Sequence, residues 1–253
     1  MAELSDAELA ARTADAAGRL LVQLQAARLL SGPAVGTAGD LLANHLILAA
    51  LKQHRPDDGV LSEESPDRSD RLAKSRVWIV DPLDGTREYV EERADWAVHV
   101  ALTVDGNPSV AAVAIPARAQ LFRSDTVRSR PAAGRRSPRM VISRTRPPPQ
   151  AEAVAAAIGA ELVHVGSAGA KAMAVVSGEA DAYFHLGGQH EWDNCAPVAV
   201  ALGAGLHASR CDGSPIRYNR ERPFVPDLLI CRPELAPPLL DAVARSSAAS
   251  GRG

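Results

Sequence analysis

Two aspartates three residues apart, Asp81 and Asp84, lie in the hexapeptide D-P-L-D-G-T at residues 81–86. The apolar run at residues 77–80 predicts a strand, so both acids would leave it at one edge of a sheet, where loops commonly carry function. Carboxylate oxygens and the Leu83 carbonyl are hard ligands of the kind that Mg²⁺ prefers. The alternative interpretation is an aspartate-rich turn whose side chains cap its own backbone.

Three further acids lie beside predicted elements in the same way. Glu63 and Glu64 directly follow the apolar run at residues 60–62, although adjacent glutamates are also typical of a solvated surface. Asp193 precedes an apolar helical pattern, where it is equally a natural N-cap. Brought together, such acids would repel one another without cations, so they favour a site that holds metal ions.

The chemistry that suits such a site is phosphoryl transfer, because it depends chiefly on positioning and charge stabilisation, which metal ions supply. A metal that acidifies the attacking water removes the need for a nucleophilic serine, cysteine or histidine. Phosphatases that form an aspartyl-phosphate fit less well, since they need two aspartates at i and i+2 and these lie at i and i+3. Direct hydrolysis of a phosphate monoester is the favoured reaction.

The elements that must position these acids follow from hydrophobic periodicity. A capping box at Ser5 and Glu8 begins a long helix that ends near residue 30, and a second helix is predicted from Asp40, as its N-cap, to about residue 54. Strands are predicted at residues 60–62, 77–80, 96–104, 110–115, 162–165, 182–186, 206–209 and 228–231. Further helices are predicted at residues 151–158, 168–177, 193–202 and 233–244.

The composition is that of an ordinary globular protein, with 253 residues, 46% hydrophobic residues and a formal net charge of −2. It favours neither a nucleic-acid polymer nor a membrane as a partner, and the longest apolar stretch, residues 41–51, is too short to cross a bilayer. Three widely spaced cysteines and an acidic N-terminus predict a cytoplasmic protein. Residues 123–149, rich in arginine and proline, form either a nucleic-acid arm or a solvated loop, and the lack of aromatics favours the loop.

The acidic motifs occur in the order and spacing of the inositol monophosphatase superfamily, which the chain resembles over almost its whole length except residues 123–149. This superfamily consists of Mg²⁺-dependent, lithium-sensitive phosphatases. The resemblance implies a layered αβαβα sandwich, with an α+β half at residues 1–138, built from two helices and a largely antiparallel sheet. An α/β half at residues 139–253 would follow, with the active site between them. A small phosphate monoester is the implied partner, and homodimers are common in the group.

The resemblance also implies individual roles, and it assigns metal binding to Glu63, Asp81, the Leu83 carbonyl, Asp84 and Asp193. The first three would hold one Mg²⁺, and Asp81 with the last two would hold another, at two or three ions per site. Thr86 would pair with Asp40 to position and deprotonate the attacking water, and the backbone of Gly85 and Thr86 would cradle the phosphate. The family often has an acid where this chain has Ala34, which weakens the match around that loop more than at Asp40.

Three features resemble the CysQ-type branch, the 3′(2′),5′-bisphosphate nucleotidases: Ser62 before the glutamates, the run R-E-Y at residues 87–89, and G-S-A-G-A-K at residues 166–171. This branch removes the 3′-phosphate of 3′-phosphoadenosine 5′-phosphate in sulfate assimilation. The implied substrate-binding residues are Asp84, Gly85, Thr86, Arg87, Ser167 and Lys171. Each of the last three has a structural alternative. Arg87 is alternatively a solvated or salt-bridged turn residue, Ser167 a helix N-cap and Lys171 a solvated helix residue. There are two alternative functions. One is an inositol or fructose bisphosphate phosphatase, and the other is a non-catalytic Mg²⁺- or nucleotide-binding protein.

Overall fold

Two long helices, α1 (Asp6–Ala26) and α2 (Pro33–His54), pack against each other and on the first of two sheets. They belong to a computed structural model that describes residues 4–130 and 137–250. The predicted capping box is confirmed, because the Glu8 N–H donates to Ser5 Oγ and the Ser5 N–H donates to the Glu8 carboxylate, both at 3.2 Å. This reciprocal pair satisfies two of the backbone donors left free at the start of α1.

The second helix begins at Pro33, where proline is well tolerated because the first helical residue has no intrahelical partner for an N–H. The prediction that Asp40 is the N-cap is therefore wrong, and Asp40 lies inside α2. At 22 residues and a mean hydropathy of 1.4, α2 is also long and apolar enough to cross a membrane, unlike the stretch considered from the sequence. One such helix is weak evidence for a membrane, since packed helices of soluble proteins have the same length and composition.

The first sheet contains five strands in sequence order: β1 (Gly59–Ser62), β2 (Arg76–Asp84), β3 (Ala97–Val104), β4 (Asn107–Ile115) and β5 (Gln120–Arg123). β1 and β2 are parallel, and every other pair is antiparallel, which confirms the largely antiparallel sheet. Because β1 and β2 run in the same direction, their carboxyl ends meet at one edge. Glu63, directly after β1, is thereby placed beside the motif at the end of β2.

The second sheet contains β6 (Arg139–Ser143), β7 (Glu161–Val165), β8 (Ala182–His190), β9 (His207–Ser209) and β10 (Phe224–Cys231), in the order β7-β6-β8-β10-β9. The sequence missed β6, because its apolar core at residues 140–142 is short and surrounded by arginine and proline. In the structure those residues are buried, and β6 pairs in parallel with both β7 and β8. The interpretation of residues 123–149 as a loop is therefore wrong for β6, and residues 131–136 lie outside the described part.

The remaining elements complete five layers. They are α3 (Thr86–Val90), α4 (Ala151–Ile158), α5 (Ala168–Val176), α6 (Glu191–Gly203) and α7 (Ala236–Ser250), with 3₁₀ helices at Ser69–Ala73, Pro116–Arg118 and Pro233–Leu235. α5 and α6 pack between the sheets, and many of their buried residues are alanines, which let the layers approach closely. α1 and α2 cover the outer face of the first sheet, and α4 and α7 that of the second. The αβαβα sandwich is confirmed.

The two sheets also divide the chain. In the described ranges, the strands of the first sheet end at Arg123 and those of the second begin at Arg139. This arrangement supports the division into halves at residues 1–138 and 139–253, which we retain as a proposal.

Candidate metal and substrate site

A cavity of about 490 Å³ opens where β2 ends and where α5 and α6 begin. Its size lies in the range of small-molecule sites, roughly 300–1,000 Å³. The predicted site residues that line it are Glu63, Asp81, Leu83, Asp84, Gly85, Thr86, Arg87, Ser167, Lys171 and Asp193. The structure therefore brings together every predicted site residue except Asp40, which contacts the site from behind Thr86.

The centre of the cavity wall is a carboxylate cluster formed by Asp81, Asp84 and Asp193, which each offer an oxygen within 4.8 Å of the others. Asp81 and Asp84 are buried, at 1% and 7% exposure, and Asp193 is half-buried. Glu63 lies beside Asp81 and lines the same cavity, although its side chain is exposed to solvent. Four acids thus converge from β1, β2 and α6.

The turn at the end of β2 is built by an irregularity in its pairing with β3, between Asp81 and Asp84. Within this turn the Leu83 N–H donates to Asp81 Oδ1 at 3.1 Å, as expected for an aspartate that caps its own turn. The self-capped turn and the metal site are compatible, because a carboxylate has about four acceptor positions and this bond uses one. The remaining acceptors of Asp81 lie in the cluster.

Asp84 is held mainly by the first turn of α5. Its Oδ1 accepts from the Ala168 N–H at 3.2 Å, and its Oδ2 accepts from the Gly169 N–H at 2.6 Å. These amides have no partner within their own helix, so the carboxylate satisfies them and also benefits from the positive end of the helix dipole. Burial alone would raise the pKa of Asp84, but the nearby His99 and the Gly169 N–H lower it below its ordinary value.

The pKa values of the other three acids are raised instead. Burial raises the pKa of Asp81 well above its ordinary value, and the charges of Glu63 and Asp84 add to this. Desolvation, with the charges of Asp193 and Asp84, raises the pKa of Glu63 to about 7, and burial beside Asp84 raises the pKa of Asp193. Without a cation, the cluster therefore holds protons that isolated carboxylates would have lost.

This donor set fits a divalent cation. The ligands are oxygens, which suit Mg²⁺ better than softer metals, and their mutual repulsion is the kind that a bound cation removes. The Leu83 carbonyl accepts from Thr86 Oγ1 at 3.3 Å, which leaves one of its two lone pairs for a metal.

Gly85 and Thr86 begin the short helix α3 directly after the acids. Gly85 has a φ of 90°, a left-handed conformation that favours glycine, and a Cβ there would lie 2.8 Å from that of Ser167. The Thr86 hydroxyl faces two acceptors, the Leu83 carbonyl and the Asp40 carboxylate. Burial and the charge of Glu64 raise the pKa of Asp40 to about 7, although the hydrogen bond from Thr86 partly opposes the rise.

Ser167 and Lys171 line the same cavity at the start of α5. Ser167 is the N-cap of α5, since its Oγ accepts from the Ala170 N–H at 3.0 Å, as the structural alternative proposed. Lys171 is not a solvated helix residue, because it is only 3% exposed and its Nζ donates to the carbonyls of Gly166 and Ser167. Burial lowers the pKa of Lys171 to about 8 even though acids such as Asp84 surround it.

Several lining residues were not identified from the sequence. They are Glu88, Ser143, Thr145, Arg146, Gly166, Ala168, His185 and Gln189. Ser143, Thr145 and Arg146 were missed because they lie at the end of β6, a strand that the sequence did not predict. Had β6 been recognised, the polar residues at its carboxyl end would have been candidates by the same reasoning as those after β2.

Comparisons with known proteins show which family the chain resembles. The model of the inositol monophosphatase family matches residues 32–247. A 3′-phosphoadenosine 5′-phosphate phosphatase from Mycobacterium leprae is 50% identical, over 96% of this chain and 94% of the relative. A protein of the same name from Mycobacterium tuberculosis is 52% identical, over 90% and 89%. The crystal structure of CysQ from Bacteroides thetaiotaomicron has a TM-score of 0.79 at 25% identity, over 90% of this chain and 97% of that chain.

The matched region begins at the residue before α2 and ends inside α7. It includes both sheets and every acid of the carboxylate cluster. Three findings lead to one conclusion: the layered fold, the acids at the end of β2 and the start of α6, and relatives at about half identity over nearly the whole length. The chain belongs to the inositol monophosphatase family.

Proposed function

We propose that this chain is a Mg²⁺-dependent phosphatase that removes the 3′-phosphate of 3′-phosphoadenosine 5′-phosphate, giving AMP and phosphate, in sulfate assimilation and nucleotide recycling. The observation that carries the proposal is the carboxylate cluster in a cavity that also contains buried Lys171. One cavity thus contains acids that suit metal cations and a lysine that suits an anionic substrate. The two mycobacterial relatives named for this activity, at 50% and 52% identity, support the choice of substrate.

The metal ligands in this proposal are Glu63, Asp81, the Leu83 carbonyl, Asp84 and Asp193. When bound, Mg²⁺ supplies charge stabilisation to the phosphoryl group and acidifies the attacking water. Burial of Asp81 and Asp84 fixes the ligand positions before substrate arrives, which is the part of phosphoryl transfer that a protein can provide.

Asp40 and Thr86 are the residues we assign to the attacking water. In this proposal the Thr86 hydroxyl turns from the Leu83 carbonyl to donate to the Asp40 carboxylate, so that its oxygen can accept a hydrogen bond from the water and orient it. With a pKa of about 7, Asp40 takes up a proton at neutral pH, as a general base requires. The water oxygen then bonds to phosphorus while the bond from phosphorus to the 3′-oxygen breaks. That oxygen takes a proton from solvent and leaves as the ribose hydroxyl, and Asp40 returns its proton to solvent.

The substrate contacts we propose are the backbone of Gly85 and Thr86 for the reacting phosphate and the side chains of Arg87, Ser167 and Lys171 around it. Arg87 is exposed at the cavity wall, where a guanidinium can pair with phosphate oxygens. Ser167 and Lys171 act from the first turns of α5. Since two Lys171 donors go to backbone carbonyls, its charge and its third N–H are what it offers a second phosphate.

The proposal is tested by comparing kcat/KM for three substrates with Mg²⁺: 3′-phosphoadenosine 5′-phosphate, inositol 1-phosphate and fructose 1,6-bisphosphate. We expect the adenosine compound to be preferred at least tenfold. Equal or better turnover of either of the other two would contradict the proposed substrate, although the chain would still be a phosphatase. No phosphate release from any of them, despite Mg²⁺ binding, would favour a non-catalytic role.

We also propose a cytoplasmic location. Its support is that all three cysteines are free, with Cys195 and Cys231 buried and Cys211 partly buried, as suits a reducing compartment.

A further inference from the structure

His99, on β3, lies fully buried directly behind the carboxylate cluster. Its Nδ1 is 3.1 Å from the carbonyl oxygen of Trp192, and its Nε2 is 3.2 Å from Asp84 Oδ2. A carbonyl oxygen only accepts hydrogen bonds, so Nδ1 carries a hydrogen. Nε2 is in close electrostatic contact with the carboxylate, although the two are not aligned as a good hydrogen bond.

These two contacts connect different parts of the site. Asp84 ends β2, whereas Trp192 lies in the first turn of α6 and directly precedes Asp193. One imidazole ring therefore contacts Asp84, from the first sheet, and the residue that precedes Asp193, from the central helical layer.

The ring also leaves no free space on its third side. A Cβ built at Gly169, in the first turn of α5, would overlap His99 Nε2 and approach Asp84 Oδ2 to 3.2 Å. His99, on β3, therefore packs against the end of β2 and the first turns of α5 and α6. Close packing of this kind transmits a small displacement to its neighbours.

The electrostatics of the pair agree with this geometry. Burial alone would lower the pKa of His99, but the neighbouring Asp84 carboxylate outweighs burial and raises the pKa overall. His99 thereby compensates part of the charge of Asp84 from the side away from the cavity.

We propose that His99 is a positioning residue of the metal site, which holds Asp84 and the start of α6 in register so that Asp84 and Asp193 face the same cation. The inference rests on the proposed metal site. An ordinary core histidine would bond to the scaffold, whereas both ring nitrogens of His99 contact the elements that carry the cluster. Partners that orient metal ligands in this way commonly contribute 10- to 100-fold to metal affinity.

The test compares three variants of the full chain: His99→Leu, His99→Gln and the control Thr103→Val. Thr103 lies on the same face of β3, is equally buried, and donates to the Val77 carbonyl at 3.0 Å, away from the cluster. Mg²⁺ binding is measured by isothermal titration calorimetry, and kcat and KM for 3′-phosphoadenosine 5′-phosphate are measured at saturating Mg²⁺.

We expect His99→Leu to bind Mg²⁺ about tenfold more weakly or worse, with kcat reduced more than KM is raised. His99→Gln, which keeps one donor, should recover part of the loss, and Thr103→Val should bind Mg²⁺ as the wild type does. Wild-type Mg²⁺ affinity in His99→Leu would overturn the proposal. If that variant does not fold, wild-type affinity in His99→Gln would overturn it, and so would an equal loss in Thr103→Val. A wild-type protein that binds no Mg²⁺ would instead refute the proposed function.

Discussion

The Gly169 N–H donates to Asp84 Oδ2 at 2.6 Å, which joins the first turn of α5 to the end of β2 inside the carboxylate cluster. This bond and the neighbouring His99 make the electrostatics of the cluster unequal. The pKa of Asp84 is lowered because His99, and after it the Gly169 N–H, compensates its charge, whereas burial and neighbouring acids raise the pKa values of Asp81 and Asp193. Asp84 is thus the acid of the cluster that most readily stays ionised, and we call it the anchor of the site.

Asp84→Asn tests this anchor. The amide keeps the shape of the side chain and one oxygen acceptor for the α5 amides, but it removes the charge that a cation needs. Phosphate release should fall below about 1% of wild type, since lost charge stabilisation of several kcal/mol corresponds to factors of this size. The variant should still fold, although less stably than the wild type, because one buried amide of α5 loses its acceptor and His99 loses the neighbouring charge. Asp70→Asn, an exposed acid paired with Arg68, is the control, and near-normal activity of Asp84→Asn would remove Asp84 from the metal site.

Gly169→Ala tests the close approach of α5. Its methyl group would overlap His99, so the helix must shift and weaken the contacts to Asp84. We expect a destabilisation of about 1–3 kcal/mol, typical of overpacking, and a drop in activity larger than this loss explains. Ala174→Val overpacks the same helix further from the site and should lower the unfolding temperature without that extra drop. Unaltered kinetics of Gly169→Ala would contradict the packing described for this turn.

The raised pKa values of these carboxyl groups predict that the stability of the metal-free protein depends on pH. Asp40 and Glu63, with pKa values of about 7 against 3.8 and 4.5 ordinarily, contribute stability that is fully present below pH 4 and lost as pH rises through 7. With a chelator present, these two groups should therefore make the unfolding temperature fall as the pH rises from about 4 to about 7, and a thermal unfolding series over this range measures it.

Mg²⁺ should reverse this trend, because it replaces the protons. At 100 times its dissociation constant it adds about 2.7 kcal/mol, which is about 5–10 °C for a chain of this size. Its affinity should be higher at pH 8 than at pH 6, where protons compete. Calorimetry at both pH values checks this, and a Mg²⁺ affinity independent of pH would show that the acids are already ionised.

Lithium inhibition is a further expectation, carried by the family resemblance and by the oxygen ligands of the cluster. A small monovalent cation can occupy such a site but stabilises a phosphoryl group less than Mg²⁺ does. LiCl should therefore lower the rate of phosphate release more than KCl at the same ionic strength. Equal effects of the two salts would count against the proposed arrangement of ligands, although not against catalysis itself.

Much of the site could be predicted from sequence, because its central acids lie in one local motif. Asp81, Asp84 and Gly85 are positioned by the strand that precedes them and by a turn whose residues are typical of turns. Asp40 was placed wrongly within its helix, since Pro33 gives a helix start that competes with an aspartate N-cap. Local propensity does not decide between two such signals.

His99 and the end of β6 could not be predicted in this way. In sequence, His99 is one position in an alternating strand, and only tertiary packing brings it against Asp84 and Trp192. β6 is a central strand whose short apolar core is recognisable only beside its partners β7 and β8. The position of His99 and the pairing of β6 both depend on long-range contacts, which a local sequence pattern does not predict.

The most direct test of the central claim is the identity of the products formed from 3′-phosphoadenosine 5′-phosphate by the wild-type protein with Mg²⁺, separated by chromatography. We expect AMP with its phosphate on the 5′-oxygen and one equivalent of inorganic phosphate, and neither in the presence of a chelator. Release of the 5′-phosphate, or turnover that persists after Mg²⁺ is removed, would contradict the proposed function.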